Sequence, residues 1–308
     1  MVPNLVRSWR SCLRAAWRIF VFMLIASAVS ATLAAIAIGA LHFAGAHVVL
    51  ASRRHAVTLE APQLLAGELL AFIGLVTSTW VMARWEHRSL ADFGFPWRRL
   101  FTRPFWIGLA SGFVAIAVVV VAMIVCGSAH VTGFATHGGA IVAQAALWAI
   151  TFLFVAMVEE VLFRGYPQFT LAANVGYWPG AVGMTLLFTL LHAGNSGESP
   201  VGIIGVFSVG FLFCFALRRL GDLRWPIGFH AAWDWGQTCF FGTPDSGLFA
   251  SGSILRTETS GSSLLSGGSA GPEGTIFALL ALAAVAFVLY ARTGVSVTSS
   301  ERQVRIGR

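Results

Sequence analysis

Long runs of apolar residues constrain the fold of this chain more than any other feature. About 20 consecutive apolar residues span the hydrocarbon core of a bilayer, and only 11% of the 308 residues are charged. Such a composition excludes intrinsic disorder, which requires low hydrophobicity and high charge. The runs predict an all-α, polytopic membrane helical bundle with about eight transmembrane helices. They lie at 19–43, 61–83, 105–127, 139–163, 179–193, 200–217, 225–241 and 274–291.

The positions of the basic residues predict the orientation of these spans. All 20 basic residues are Arg, and the net charge is +7. With eight spans, sixteen arginines fall on the side of the two termini and three on the opposite side. Cytoplasmic loops are enriched in positive charge, so we expect both termini in the cytoplasm. The arginines cluster at the ends of spans, which favours a lipid bilayer over nucleic acid as a partner. A bacterial plasma membrane is the simplest location.

Composition divides the chain into four segments. Residues 1–138 hold three N-terminal membrane helices, and residues 139–242 form a core that carries unusual polar motifs. Residues 243–273 are rich in Gly and Ser, contain no apolar run and predict a flexible extracytoplasmic loop. Residues 274–308 contain the last span and a basic cytoplasmic tail. The sequence has no strand pattern of consequence, and its cysteines lack a paired spacing.

Ionisable residues within a span are costly unless they are paired or face water, so they are candidates for function. The fourth span ends in Glu159, Glu160 and Arg164. Glu160 and Arg164 are four residues apart, share a helix face and can neutralise each other. Glu159 lies about 100° further around the helix and has no such partner. Pro167 predicts that this helix bends or ends near Gly165, because an interior Pro loses a backbone hydrogen bond.

Two further spans contain ionisable groups. His192 lies near the end of the fifth span, and His230 and Asp234 share a face of the seventh. Taken alone, His192 is also compatible with a residue at the membrane interface, and His230 and Asp234 with a pair that only hydrogen-bonds to itself. Together they favour one water-filled pocket within the membrane. Equal depth for Glu159 and His192 requires a turn between their helices near Gly176.

The three motifs EExxxR, FxxxH and HxxxD, in this order, resemble the CPBP family of intramembrane proteases, which includes the type II CAAX prenyl endopeptidases. The resemblance covers about residues 140–240 and marks residues 139–242 as a protease-like core. It implies a mostly helical membrane fold and an enzyme that cleaves peptide bonds near the membrane. By position it assigns Glu159 and His192 to holding and deprotonating water, His230 and Asp234 to stabilising the oxyanion, and Glu160 and Arg164 to a supporting pair.

One position departs from the prenyl-protease branch of that family, where residue 234 is often Asn. An amide can donate to an oxyanion, whereas an ionised carboxylate only accepts. Asp234 could be protonated by apolar surroundings, but we favour the role of fixing the tautomer of His230, as carboxylates do elsewhere. The departure bears on prenylated substrates more than on proteolysis.

The sequence requires no cofactor. It lacks the GxSxG motif of serine hydrolases and the HExxH motif of zinc proteases. Zinc is compatible with the residue types of Glu159, His192 and His230. The resemblance leaves the choice open, since both a metal-dependent and a glutamate-dependent mechanism are argued for the family.

The sequence therefore predicts an intramembrane endopeptidase that hydrolyses a peptide bond of a membrane-associated protein or peptide with a Glu/His-activated water. Two alternatives stay open. One is a non-catalytic membrane scaffold or bacteriocin-immunity-type protein that retains the pocket. The other is a small-molecule transporter whose polar residues line a permeation path.

Overall fold

The fold is a bundle of helices connected by short segments. The computed structural model describes residues 9–44, 58–195 and 199–292. A helix occupies each of the eight predicted spans. The helices are α1 (Trp9–Phe43), α2 (Ala61–Trp85), α3 (Arg103–Val125), α4 (Ala140–Arg164), α5 (Tyr166–Val175), α6 (Tyr177–His192), α7 (Pro200–Leu220), α8 (Arg224–Asp234), α9 (Ser263–Ser266) and α10 (Ile276–Arg292).

Several of these helices are apolar enough to cross a membrane. Within the described residues, five segments meet the required length and composition: α1, α2, α3, α4 with α5, and α7. α10 is a shorter apolar helix. An integral membrane protein is therefore supported, whereas the count of eight spans and the cytoplasmic termini stay predictions. The arginines at positions 7, 53 and 54 and the basic tail beyond Arg292 lie outside the described residues.

Two sharp breaks fold α4, α5 and α6 back on one another. α4 ends at Arg164, and Gly165 adopts φ −85° and ψ −132° before α5 begins with Pro167 in its first turn. This confirms the predicted end near Gly165. Gly176 separates α5 from α6 with φ +97°, a backbone conformation that glycine adopts without steric cost. The turn predicted near this residue is therefore present.

Close contact between α3 and α8 fixes the position of α8. Gly108 and Gly112 of α3 lie against the backbone of Trp225 and Phe229, so a Cβ at either glycine would collide with a carbonyl oxygen. Small residues at such contacts allow helix backbones to approach closely in a membrane protein. After Asp234 the chain continues as a π-helical turn, Trp235–Phe240. The predicted span at 225–241 thus consists of a short α-helix and this turn.

The segment at 243–273 contains two short strands, so the expectation that the sequence has no strands of consequence is wrong. β1 (Thr58–Leu59) pairs in parallel with β3 (Phe249–Ala250), and β2 (Ala129–Phe134) pairs antiparallel with β4 (Leu255–Thr259). The two pairings join segments that are far apart in sequence. The sequence does not predict these pairings, because the strands lack a regular alternation of apolar and polar residues.

Candidate functional site

His230 lies at the centre of a cluster of carboxylates contributed by α4 and α8. Its Nδ1 atom is 3.0 Å from Oε1 of Glu160, and its Nε2 atom is 3.3 Å from Oδ2 of Asp234. The same Nε2 atom is 3.7 Å from Oε2 of Glu159. The spacing of His230 and Asp234 predicts a shared face, and the structure brings both together with the two predicted glutamates.

Glu160 connects this cluster to a buried arginine. Nη1 of Arg164 donates to Oε1 of Glu160 at 3.0 Å, and both side chains are fully buried. This confirms the predicted pair. The guanidinium of Arg164 also lies 4.3 Å from the centre of the Phe188 ring, where a cation is attracted to the π face. Arg164 therefore compensates the charge of Glu160, whose Oε1 atom accepts the hydrogen bond.

The contact with Glu160 assigns the proton on one ring nitrogen of His230. A carboxylate accepts hydrogen bonds, so Nδ1 of His230 carries the hydrogen that it donates to Oε1. From the sequence, this role of fixing the tautomer of His230 is expected for Asp234. The structure instead places Glu160 at Nδ1 and Asp234 at Nε2, on the opposite side of the ring. Glu160 therefore serves two partners, one local in sequence and one 70 residues away.

His192 is held by its own helix. Its Nδ1 atom is 2.9 Å from the carbonyl oxygen of Phe188 in the preceding turn of α6. A carbonyl oxygen only accepts, so Nδ1–H donates and the neutral ring keeps a lone pair on Nε2. The side chain is half-buried. Its ring also packs against Phe188, with centroids 4.2 Å apart, which restricts the orientation of the imidazole.

A single cavity of about 230 Å³ brings the predicted residues together. Glu159 of α4, His192 of α6 and His230 of α8 all line it, and the turns at Gly165 and Gly176 make this convergence feasible. A cavity of this size, with several ionisable side chains in its lining, has room for several water molecules. Its ionisable lining consists of Glu68, Glu159, His192, His230, Asp234, Asp245 and Glu273.

Three of these lining residues are absent from the sequence prediction. Glu68 lies on α2 inside the predicted span at 61–83, so the cost of an intramembrane carboxylate is a signal that could have identified it. Asp245 and Glu273 lie in the segment that we expect to be a loop, and no motif marks them. The backbone N–H and the hydroxyl of Ser246 donate to Oε1 of Glu273, which ties this segment together at the cavity.

Asp245 belongs to the same segment and interacts electrostatically with His230 and Glu159. The hydroxyl of Thr238 donates to its Oδ2 atom at 3.3 Å. Burial raises the pKa of Asp245 to about 6, and the opposing influence of His230 lowers it in part. Asp245 therefore changes its charge within the range of ordinary assay conditions.

The predicted zinc ligands do not assemble into a metal site in this conformation. Across residues 9–44, 58–195 and 199–292, no group of three or more His, Cys, Asp or Glu side chains has an arrangement that could hold a metal ion. Both ring nitrogens of His230 face carboxylates, and Nδ1 of His192 faces a carbonyl oxygen. In this arrangement the three side chains do not fit zinc. Metal dependence therefore stays a prediction that rests on the residue types alone.

The fold and the site define an integral membrane protein whose helices enclose a cavity of carboxylate and imidazole groups. The family model described as type II CAAX prenyl endopeptidase Rce1-like matches residues 141–236. The matched segment, 96 of the 308 residues, runs from α4 into the π-helical turn and contains all three motifs. The match confirms the resemblance to a membrane protease family. Neither a curated protein nor a solved structure matches the chain.

Proposed function

We propose that the protein is an intramembrane endopeptidase that hydrolyses a peptide bond of a membrane-associated protein or peptide. One observation carries the proposal: Glu159, His192 and His230 line the same cavity within the Rce1-like segment. Amide hydrolysis needs an activated water, a stabilised oxyanion and a proton for the leaving amine. The cavity contains groups suited to each of these tasks.

Glu159 is the general base of the proposed reaction. Its side chain is 26% exposed, whereas the neighbouring Glu160 is fully buried and held by Arg164. Glu159 can therefore reach a water molecule in the cavity, while Glu160 cannot leave its two partners. The Nε2 lone pair of His192 accepts a second hydrogen bond from the same water and orients it. Attack forms the bond between the water oxygen and the carbonyl carbon, and the water proton passes to Glu159.

His230 stabilises the negative charge that develops on the carbonyl oxygen. Glu160 fixes the ring through Nδ1 and leaves Nε2 directed toward Glu159 and Asp234. In its imidazolium form His230 carries a hydrogen on both ring nitrogens, and the Nε2–H donates to the oxyanion. Asp234 accepts from this N–H before substrate arrives and so keeps it in position. A preorganised donor of this kind contributes about 2.7–4 kcal/mol to transition-state stabilisation.

The remaining lining of the cavity fits an apolar peptide. Phe152 and Val155 of α4 and Val206 and Val209 of α7 line it beside the ionisable groups. Apolar side chains of a substrate segment that arrives from the bilayer can pack on this surface. The proposed substrate class is therefore a membrane-associated segment, with or without a covalent lipid.

Cleavage in proteoliposomes tests the proposal. We would reconstitute the parent and Glu159→Gln with two probes, a farnesylated C-terminal peptide and a single-span transmembrane peptide, and analyse the products by mass spectrometry. We expect the parent to cleave at least one probe and Glu159→Gln to be slower by about 10²–10⁴-fold, the usual contribution of a general base. Glu258→Gln, on the exposed side of β4, is the matched control and should cleave like the parent.

Two outcomes would contradict the proposal. Equal cleavage by the parent and Glu159→Gln would reject Glu159 as the base. If the parent cleaves neither probe and a biological phenotype survives both Glu159→Gln and His192→Ala, a non-catalytic scaffold becomes the better account. Solute flux through the same liposomes would favour a transporter.

A further inference from the structure

Glu68 is a cavity carboxylate that the three motifs leave out. It lies on α2, before the matched segment begins, and it lines the cavity together with Glu159 and His192. α2 packs along α4, so the side chain enters the cavity from a helix that carries none of the motif residues. The charges of Glu159 and His230 act on it electrostatically.

One carboxyl oxygen of Glu68 lies in an environment unlike those of Asp234, Asp245 and Glu273, which also line the cavity. Its Oε2 atom is buried, and no described residue offers it a hydrogen bond. In contrast, Asp234 contacts His230, Asp245 accepts from Thr238, and Glu273 accepts from Ser246. Apolar side chains of Leu64, Phe152 and Val155 line the same region. A buried carboxyl oxygen that accepts no hydrogen bond is costly in the anion, whereas in the neutral form it can carry an O–H to donate.

We propose that Glu68 is the general acid of the reaction, which protonates the leaving amine. This inference rests on the proposed peptidase function. Two neighbouring carboxyl groups divide the roles of acid and base when one of them holds a proton and the other does not. Glu159, with its partly exposed side chain near His230, takes the proton of the attacking water. Glu68, with its buried and unpartnered oxygen, supplies the proton that the amine requires.

The proton balance of this step is complete. Water adds to the carbonyl carbon, and its proton moves to Glu159. The carbon–nitrogen bond then breaks while the proton of Glu68 moves to the amine nitrogen. A water in the cavity carries the proton of Glu159 to Glu68, which restores both groups. The net reaction is amide plus water to carboxylic acid plus amine, with no oxidant, reductant or co-reactant.

A change of leaving group separates this role from a structural one. An amine leaves a tetrahedral intermediate only when it is protonated, whereas a thiol, with a pKa of about 8.5, leaves readily as a thiolate. We would therefore compare a peptide substrate with its analogue in which a thioester replaces the amide at the bond found by mass spectrometry. Both carbonyl groups need the same base and the same oxyanion stabilisation, but only the amide needs the acid.

The experiment compares the parent, E68Q and E68D in proteoliposomes. For E68Q we expect kcat on the amide to fall by about 10²-fold or more, and the rate on the thioester to stay within about threefold of the parent. E68D keeps an acid with a shorter reach, so its amide rate should lie between the other two. Glu60→Gln, an exposed glutamate just before α2 that accepts from Ser251, is the matched control and should leave both rates unchanged.

The remaining outcomes overturn the inference. Amide cleavage by E68Q at the rate of the parent would show that the acid lies elsewhere. Loss of both amide and thioester cleavage would mean that Glu68 acts on the structure or on the base. If E68Q shows no thermal unfolding transition, it is not folded, and E68D then provides the test. Its amide rate must fall relative to its thioester rate. A parent that cleaves no peptide bond would refute the proposed function itself, and this result is distinguishable because it precedes any variant.

Discussion

The buried pair of Glu160 and Arg164 allows a quantitative test of how the site is held. Arg164→Met removes the guanidinium but keeps a flexible, unbranched side chain that replaces the apolar stem of the arginine. The change removes the 3.0 Å hydrogen bond to Oε1 of Glu160 and the contact with the Phe188 ring at 4.3 Å. Glu160, which is 0% exposed, then keeps His230 as its remaining partner in the described structure.

The expected loss of stability follows from this burial. Breaking a fully buried ion pair by removing one partner costs about 3–5 kcal/mol, because the charge that stays in the interior loses its permanent counter-ion. At about 2–4 °C per kcal/mol, Tm should fall by about 6–20 °C. The matched control is Arg18→Met. Arg18 is 48% exposed and shares Glu86 with Arg88 and Tyr166, so its loss should cost about 0–1 kcal/mol after solvent screening.

Thermal unfolding in detergent micelles, followed by tryptophan fluorescence, measures both variants. The double variant Glu160→Gln with Arg164→Met should be more stable than Arg164→Met alone, because it buries no unpaired charge. The expected coupling between the two sites is about 0.5–3 kcal/mol. The reasoning is refuted if Arg164→Met and Arg18→Met have equal effects, or if the two changes at positions 160 and 164 add their costs independently.

Two further predictions address the packing and the charge around the site. Gly112→Ala places a Cβ against the Phe229 backbone and should cost about 1–3 kcal/mol by overpacking, with a lower Tm and weaker peptide cleavage. Gly39→Ala, which has open space around it within α1, should not lower Tm, because Ala is the better helix former. Equal effects of the two substitutions would contradict the close contact. Asp245, with a pKa raised by burial to about 6, stabilises the fold in its protonated form. The Tm of the parent minus that of Asp245→Asn should therefore decline as pH rises from about 4 to about 6 and then level off, whereas a difference independent of pH would contradict this burial.

The sequence predicts those parts of the fold and site that depend on local spacing. Apolar runs locate the helices, and Pro167 locates the break after Arg164. The pairs Glu160–Arg164 and His230–Asp234 follow from four-residue spacing on one helix face. Convergence of three motifs into one cavity is also predicted, because each buried polar group would otherwise need its own compensation.

Long-range contacts explain what the sequence does not predict. Glu160 orients His230 across 70 residues, a contact that depends on how α4 packs against α8. The pairing of β2 with β4 joins strands that are more than 100 residues apart. Local sequence therefore predicts a loop at 243–273, because it contains no information on this pairing. Glu68 differs from these cases. Its position in a predicted span is a local signal, and only its arrival in the cavity requires the packing of α2 against α4.

An experimental structure of the parent protein in lipid nanodiscs would test the central claim most directly. The account predicts that Oε2 of Glu159 lies within about 4 Å of Nε2 of His230, near the 3.7 Å found here, and that ordered water joins this pair to His192 in one cavity. Coordinates that place the three side chains toward lipid, or in separate cavities without shared water, would contradict it.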